Sequence, residues 1–341
     1  MKKISFIIPV YNCKEFLTDC IKSLRAAKVQ DCEILLIDDG STDGSGALCD
    51  ELAETNPEIR VIHQENRGVS AARNRGIEEA QGKLILFIDA DDSIDSAALG
   101  KVLSDPRCQE NDLTIFGLTF DYYKNGKCYR RDPMCFPEDG ILTRQRWGES
   151  FVRLYEQNAM SPVWNKVFSR EILLRNELKL NEYMFLYEDL EFVLRYLPHC
   201  DRIWNVPQAI YHYRQAEDEG NAGRRLSRIA SLPEFLMPIE EALENLCSAN
   251  PAVTRQDTDS ILQSLYLCLA REKISVSDLK EIRQICRDFA HWTEKHQLPQ
   301  EESGLQKKLM EERALSLWLR DKKLALRHRV AVWVKSHLCR I

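Results

Sequence analysis

Short apolar segments alternate with amphipathic ones through the first hundred residues, and this alternation constrains the fold of the 341-residue chain more than any other feature. Runs rich in Ile, Leu and Val predict strands at residues 5–10, 33–37, 60–63 and 84–88. Between them, apolar residues at helical spacing predict helices at residues 14–27, 45–55 and 69–80. Apolar strands joined by helices are typical of a parallel sheet covered on both faces, so the sequence predicts an α/β fold.

Composition and spacing exclude several other classes of protein. The longest apolar run, residues 265–270, has six members, whereas a helix that crosses a bilayer needs about 18. Pro9 and Asn12 interrupt the N-terminal apolar stretch, which favours a first strand over a signal peptide. The 12 cysteines form no C-x-x-C pair, so we expect free thiols in a reducing cytoplasm. The Gly-rich segment 44–49 lacks the third glycine of a dinucleotide fingerprint, so NAD is not expected.

Acidic residues follow the predicted strands at the edge where open α/β sheets bind ligands. Asp38 and Asp39 follow the second strand, and Asp89-Ala90-Asp91-Asp92 follows the fourth. Alternation along a strand would place Asp89 and Asp91 on the same side of the backbone. Such a pair suits a hard divalent cation that also takes oxygens from a diphosphate. Taken alone, the motif is also compatible with a solvated turn that caps the next helix.

Five segments occur in a fixed order: Ile7–Asn12, Asp38–Asp43, Asn66–Gly68, Ala72–Asn74 and Phe87–Asp92. In this series the sequence resembles the family 2 glycosyltransferases, which have the GT-A nucleotide-diphospho-sugar transferase fold. The resemblance is dense over residues 3–94 and looser to residue 214. It implies a mostly parallel sheet flanked by helices, and transfer of a sugar from a nucleotide diphosphate donor with inversion.

The resemblance also implies roles for residues of these segments. Pro9, Tyr11 and Asp39 would surround the base, usually uracil, and Arg73 would help to hold the nucleotide. Asp89 and Asp91 would form the D-x-D pair, one near the ribose and the other on Mg²⁺ or Mn²⁺. Asp92 is the alternative metal ligand, because family members differ in which carboxylate of this cluster reaches the ion.

A second acidic segment, Tyr187-Glu188-Asp189-Leu190-Glu191-Phe192, has two interpretations. From spacing alone it is a charged first helical turn, which the helix dipole favours. The family has a Glu-Asp motif at this distance from D-x-D, and the resemblance implies that Asp189 is the catalytic base and that Glu188 contacts the acceptor. Glu191 is the less favoured base.

Two aromatic segments resemble further elements of the family, on the acceptor or diphosphate side. In the first, Trp164 precedes Lys166 by two residues, and Trp164 either stacks on a sugar or packs in the core. In the second, Tyr211-His212-Tyr213-Arg214, His212 or Arg214 would reach the diphosphate, and the alternative is a plain edge strand. The polar stretch 215–225 after it is a candidate lid over the donor.

After residue 215 the pattern becomes helical, so we expect a catalytic domain at 1–215 and a helical region at 216–341. Helices are predicted at 229–248, 258–271, 277–295 and 305–338, with loops at 220–223 and 298–304. Residues 313–341 carry eight Lys and Arg and one Asp, a net charge of +7, which leaves −13 for the other residues from the total of −6. The tryptophans and basic residues of this tail suit an anionic membrane surface, and packing on the acidic body is the alternative.

The sequence thus predicts a metal-dependent glycosyltransferase that passes a sugar from a UDP-sugar to a glycan or lipid-linked acceptor in cell-surface polysaccharide synthesis. We expect a cytoplasmic protein, peripheral on the inner face of the cell membrane, that binds no nucleic acid, because the body is acidic and lacks a basic stripe. The alternative is a noncatalytic sugar-nucleotide or partner-binding module on the same scaffold.

Overall fold

The computed structural model describes residues 2–136, 139–157, 159–215 and 228–276, together with Ile285 and Asp288. The chain divides into two compact units, one of Met1–Glu219 with Pro238–Ile261 and the other of Gly220–Met237 with Leu262–Ile341. The division predicted at residue 215 stays a prediction, because residues 216–227 lie outside the described part. The sheet and the site described below belong to the first unit.

The first quarter of the chain alternates strands and helices as its sequence predicts. Its elements are β1 (Ile4–Val10), α1 (Lys14–Arg25), β2 (Cys32–Asp38), α2 (Ser45–Thr55), β3 (Ile59–His63), α3 (Val69–Glu79) and β4 (Leu84–Phe87). The strands are parallel and lie in the order β3-β2-β1-β4. In α1, the buried residues Leu17, Cys20, Ile21 and Leu24 recur at steps of three and four, so one face of the helix packs on the sheet.

Residues 93–215 extend this sheet with strands of both directions. They form β5 (Ser93–Ile94), α4 (Ser96–Ser104), α5 (Arg107–Glu110), β6 (Leu113–Lys124), β7 (Lys127–Met134), β8 (Gly140–Thr143), α6 (Arg144–Glu149), α7 (Phe151–Glu156), β9 (Lys166–Ser169), α8 (Arg170–Arg175), α9 (Glu188–Tyr196), a 3₁₀ turn (Leu197–His199) and β10 (Arg202–Gln215). Beyond β4 the order continues β9-β6-β10-β5, with β7 on β6 and β8 on β10. The result is the mixed α/β sheet expected of the GT-A fold.

One expectation about this sheet is wrong. The segment that contains His212 had a plain edge strand as its alternative interpretation, but β10 lies inside the sheet. It pairs in parallel with β6 on one side and antiparallel with β5 and β8 on the other. Because β5 directly follows the acidic segment 89–92, this pairing brings β10 to the candidate site.

The described part of the C-terminal region is helical, with α10 (Leu232–Ala249) and α11 (Arg255–Val276) near the first two helices predicted there. The predicted helix 305–338, the loops 220–223 and 298–304, nearly all of the candidate lid and the basic tail lie outside the described residues, as does the predicted helix 277–295 apart from Ile285 and Asp288. No described helix is long and apolar enough to cross a membrane. The ten cysteines in the described part are free thiols.

At the end of the sheet away from the acidic loops, a buried carboxylate joins three segments. Glu33 of β2 is 2% exposed, and its Oε1 accepts hydrogen bonds from the Ser5 hydroxyl at 2.5 Å and from the Gln81 N–H at 2.6 Å. Its Oε2 accepts from the Arg60 guanidinium at 3.1 Å. Because a buried donor that loses its acceptor keeps its desolvation cost, this network stabilises the pairing of β1, β2 and β4.

We predict that Glu33→Ala lowers the free energy of unfolding by about 3 kcal/mol, since it leaves the buried Ser5 hydroxyl and Gln81 N–H without their acceptor. Urea denaturation followed by circular dichroism measures the change. The matched control is Glu51→Ala on the exposed face of α2, for which we expect a change within about 0.5 kcal/mol. Equal stability of the two variants would contradict the role of Glu33.

Candidate active site

The candidate site begins at the carboxyl ends of β1 and β2. Pro9 lies half-buried in β1 opposite Ile37 of β2, and Tyr11 beyond the strand is 52% exposed. The Asp39 N–H donates to the Val10 carbonyl at 2.9 Å, which holds the two strand ends side by side. The residues expected around the base are therefore neighbours, and Tyr11 presents an exposed ring there.

The Asp39 carboxylate is buried and organises the loop between β3 and α3. Its Oδ1 accepts hydrogen bonds from the Gln64 side chain at 2.8 Å and the Arg67 N–H at 2.9 Å, and its Oδ2 accepts from the Gly68 N–H at 2.8 Å. Gly68 has a φ of +92°, a conformation that side chains rarely adopt. Asp39 thus shapes the loop that leads into α3, in addition to lying where the base is expected.

Arg73 of α3 is the centre of the site. Its side chain is 4% exposed, and its two terminal nitrogens donate to different carboxylates, Nη1 to Asp189 Oδ1 and Nη2 to Asp89 Oδ1, both at 2.7 Å. Its Nε is buried and has no hydrogen-bond partner among the described residues. The guanidinium therefore joins the D-x-D motif to the Glu-Asp motif, which the sequence separates by a hundred residues.

Burial and the charge of the partner shift the pKa values of Arg73 and Asp189 in opposite directions. Burial opposes the charge of Arg73, but Asp189 and Asp89 outweigh it, and the pKa of the guanidinium is raised. Burial raises the pKa of Asp189, while Arg73 opposes that rise by favouring the charged carboxylate. A carboxylate whose pKa lies above its ordinary value is a stronger base, which suits proton abstraction near neutral pH.

The acids that follow β4 occupy different environments. Asp91 is exposed, whereas Asp92 is buried and both of its oxygens are engaged. Asp92 Oδ2 accepts from the Tyr211 hydroxyl and Oδ1 from the Arg214 N–H, both at 2.7 Å. Desolvation and the charge of Asp89 raise the pKa of both acids, and that of Asp92 lies well above its ordinary value. Asp92 therefore ties this segment to β10, and Asp91 presents its carboxylate to solvent.

The chemistry of these side chains fits a metal ion that is shared with a substrate. Among the described residues, no three His, Cys, Asp or Glu side chains converge as a metal-binding group. Asp91 would hold a Mg²⁺ or Mn²⁺ as a single carboxylate, and such hard cations usually bind one or two carboxylates together with substrate phosphates and water. The exposed carboxylate of Asp91 fits this arrangement better than the engaged carboxylate of Asp92.

The Glu-Asp motif opens α9. Tyr187, the residue before the helix, has a φ of +60°, a left-handed conformation that costs energy for a bulky side chain and is concentrated at functional sites. Glu188 and Asp189 form the first turn and are both half-buried. Besides the contact of Asp189 Oδ1 with Arg73, Oδ2 accepts a long hydrogen bond of 3.3 Å from the Val163 N–H.

Glu191, the less favoured base, has a different environment. It is 4% exposed, and Arg195 one helical turn later donates to both of its oxygens, at 2.6 and 3.0 Å. A carboxylate held by a bidentate guanidinium has little capacity to take a proton from a substrate.

Trp164 and Lys166 lie deeper than an acceptor contact requires. The Trp164 side chain stacks on Tyr211 and Tyr213, with ring centroids 4.3 and 5.2 Å apart, and is 8% exposed. Lys166 is fully buried, and its ammonium donates to the Pro162 carbonyl and, at 2.7 Å, to Asn165 Oδ1. The structure thus places Trp164 in the core, the second of its two interpretations.

The surroundings of Lys166 also affect its charge. Burial lowers the pKa of Lys166 well below its ordinary value, although the nearby Asp189 favours the ammonium form. Its hydrogen bonds hold the segment that carries Val163, whose N–H reaches Asp189. Lys166 therefore supports the Glu-Asp motif from below the surface of the site.

His212 and Arg214 lie with the D-x-D acids. Both line a pocket of about 180 Å³ together with Asp91 and Asp92. His212 Nδ1 is 3.3 Å from Asp121 Oδ2, and Arg214 Nε donates to the Asp91 carbonyl at 3.1 Å. The Arg214 guanidinium also lies over an aromatic ring, 3.7 Å from the centroid of Tyr123.

Three residues with contacts in the site were not predicted from the sequence. The Tyr211 hydroxyl accepts from the Asp89 N–H at 3.0 Å and donates to Asp92, so it bridges the D-x-D segment. Asn74 and Arg67 hold the segment before α9 through Leu180 and Glu182. All three lie within the motifs that carry the family resemblance, but nothing in the sequence shows which distant residues they contact.

Comparison with known proteins agrees with this fold. The sequence model described as Glycosyl transferase family 2 matches residues 5–175. The chain therefore belongs to the family 2 glycosyltransferases, which confirms the predicted resemblance.

Its relatives include proteins with and without a described activity. An uncharacterized glycosyltransferase of Bacillus subtilis strain 168, EpsJ, is 33% identical over 213 residues, 62% of this chain and 61% of EpsJ. The cholesterol galactosyltransferase of Borreliella burgdorferi is 28% identical over 269 residues, 77% of this chain and 71% of that protein. The teichoic acid poly(glycerol phosphate) polymerase of Staphylococcus epidermidis is 28% identical over 223 residues, 61% of this chain and 28% of that protein. The match thus spans less than two thirds of the length of EpsJ.

The fold also matches solved structures. S. aureus TarS 1–349 in complex with UDP-GlcNAc superimposes with a TM-score of 0.63 at 20% identity, over 98% of this chain and 92% of that chain. This likeness confirms the predicted GT-A fold.

Proposed function

We propose that this chain is an inverting, metal-dependent glycosyltransferase that transfers a hexosyl or N-acetylhexosaminyl group from a UDP-sugar to a glycan or lipid-linked acceptor in cell-surface polysaccharide synthesis. The observation that carries the proposal is the bridge from Arg73 to Asp89 and Asp189, because it brings a nucleotide-side acid and a candidate base into one site. Membership of the family and relatives that act in teichoic acid synthesis support it.

The nucleotide side is formed by Pro9, Tyr11 and Asp39 at the base and by Asp89 near the ribose. Arg73 adjoins this side through its contact with Asp89. The exposed ring of Tyr11 offers a face for a planar base. The crystallised complexes of the TarS neighbour with UDP-GlcNAc and with UDP support a uridine diphosphate donor.

The diphosphate side is formed by Asp91, with His212 and Arg214 in the adjacent pocket. A bound Mg²⁺ or Mn²⁺ would neutralise charge on the diphosphate oxygens. The preference for Asp91 over Asp92 rests on its exposure, since both oxygens of Asp92 accept hydrogen bonds from β10.

The chemical step is a direct displacement. The acceptor hydroxyl oxygen forms a bond to the anomeric carbon while the bond from that carbon to the diphosphate oxygen breaks, and UDP leaves. The hydroxyl proton passes to Asp189, for which Oδ2 is the better placed oxygen because its contact with the Val163 N–H is long. Arg73 keeps Asp189 ionised and oriented, and Glu188 contacts the acceptor.

We predict that Asp189→Asn retains donor binding but lowers transfer by about 10²–10⁴-fold, because the amide cannot take the proton. Asp91→Asn is expected to weaken donor binding in the presence of Mn²⁺, with little effect on binding without the metal. Calorimetric titration with UDP-sugars, with and without Mn²⁺, measures binding, and release of UDP measures turnover. Transfer by Asp189→Asn at the wild-type rate would refute the base assignment. A wild-type chain that binds UDP-sugars but never releases UDP would be the noncatalytic module.

A second prediction concerns pH. Transfer requires ionised Asp189, so activity falls as the pH drops through its pKa, and Arg73 holds that pKa down. Arg73→Gln should therefore move the acidic limb of the pH–rate profile to higher pH, by about one to three units. Arg75→Gln is the matched control, since Arg75 on the same helix is 47% exposed and pairs with Glu79. An unshifted acidic limb in Arg73→Gln would count against the bridge, provided that thermal unfolding shows a folded variant.

Peripheral attachment to the inner membrane leaflet, through the basic tail, would bring the enzyme to lipid-linked acceptors. Support comes from the sequence alone, with a charge of +7 and two tryptophans, Trp318 and Trp333, in residues 313–341. Full-length protein should co-sediment with vesicles that contain anionic lipid, and deletion of residues 313–341 should abolish this. Equal sedimentation of the two proteins would refute the proposal.

A further inference from the structure

The segment between α8 and α9 presents a tyrosine almost wholly to solvent. Tyr183 is 96% exposed, more than any other large hydrophobic side chain among the described residues. Two apolar residues on either side of it in the sequence are buried, since Leu180 is 2% and Met184 is 7% exposed. Two buried anchors thus flank one exposed ring.

The segment is also fixed by hydrogen bonds to α3. Asn74 exchanges two with the Leu180 backbone, accepting from its N–H at 2.7 Å and donating to its carbonyl at 2.9 Å. Glu182 is held from both sides, by Asn74 at 3.1 Å and by Arg67 at 2.8 Å. The Tyr183 N–H itself donates to Asn181 Oδ1 at 3.0 Å. The ring therefore stands on a rigid turn, and rigid presentation lowers the entropy cost of binding a partner.

The contacts of α3 place this turn beside the Glu-Asp motif. Asn74, which holds the turn, directly follows Arg73, which holds Asp189. The turn is also joined to α9 by chain, because Tyr183 precedes Asp189 by six residues. The turn that carries the exposed ring accordingly lies on the side of the site that holds the candidate catalytic base, where an acceptor must approach.

We propose that Tyr183 is a stacking platform for a saccharide ring of the acceptor, an inference that rests on the proposed transferase function. The face of an aromatic ring is electronegative and attracts the C–H groups on one face of a sugar. The polar surroundings favour a saccharide over a lipid chain. Glu182, next to Tyr183 in the sequence, pairs with Arg67, and Lys179 on the same segment pairs with Glu78 of α3. A lipid chain would instead need contiguous apolar surface.

The test uses full-length protein with Mn²⁺ and the UDP derivatives of glucose, galactose and their N-acetylated forms. The acceptor probes are p-nitrophenyl glycosides of the same sugars and, separately, a short polyprenyl phosphate. Release of UDP without a probe measures donor hydrolysis, and the additional release with a probe measures transfer. Tyr183→Ala should raise the KM for the glycoside about tenfold and lower the ratio of transfer to hydrolysis at low glycoside concentration.

Matched variants separate stacking from general damage. Tyr183→Phe and Tyr183→Trp should keep the wild-type KM, because each retains an aromatic face. Tyr129→Ala should also leave the KM unchanged, since Tyr129 is exposed at 63% on β7, in another part of the chain.

Each remaining outcome contradicts one of the two proposals. An unchanged glycoside KM in Tyr183→Ala would overturn the platform. Stimulation of the wild type by polyprenyl phosphate alone would overturn the saccharide assignment. Absence of UDP release from every donor would contradict the transferase function itself, and the platform with it.

Discussion

A buried guanidinium between two carboxylates is the interaction on which the rest of the site depends. Arg73 would be costly to bury without negative partners, and Asp189 would be costly to bury without a positive one. Each charge is tolerated because the others are present, and the planar guanidinium fixes the direction of both contacts. Arg73 of α3 therefore fixes the distance between the segment that follows β4 and the first turn of α9.

The same bridge leaves the site with an excess of negative charge. Asp89 and Asp189 share one guanidinium, while partial desolvation in the pocket that Asp91 and Asp92 line, together with the charge of Asp89, raises the pKa of both acids. The Asp92 carboxylate is stabilised by hydrogen bonds from the Tyr211 hydroxyl and the Arg214 N–H of β10. Asp91 faces solvent, and a cation at its carboxylate would lower the local repulsion. A divalent metal at Asp91 would also offset negative charge on a donor diphosphate, which would otherwise add to the repulsion.

The sequence was sufficient to predict β1 to β4 and α1 to α3, because these elements follow from local periodicity. It was not sufficient to rank Asp91 and Asp92 from alternation along a strand. β4 ends at Phe87, so both acids lie in the turn beyond it, where alternation no longer applies. What separates them is Tyr211, on a strand far along the chain. For the same reason the sequence could not decide between the two interpretations of Trp164 or predict the burial of Lys166, since both depend on contacts between distant segments.

Arg67 connects the two halves of the site in a way that neither motif indicates alone. Its N–H donates to Asp39 on the nucleotide side, and its guanidinium donates to Glu182 on the segment that leads into α9. One residue thus takes part in the loop shaped by Asp39 and in the turn that presents Tyr183. Because Arg73 lies on the helix that follows, α3 and the loop before it form a continuous support from the nucleotide side to the acceptor side. The Asp39 and Asp189 carboxylates therefore depend on the same stretch of chain, because Asp39 accepts from the loop before α3 and Asp189 accepts from Arg73 within it.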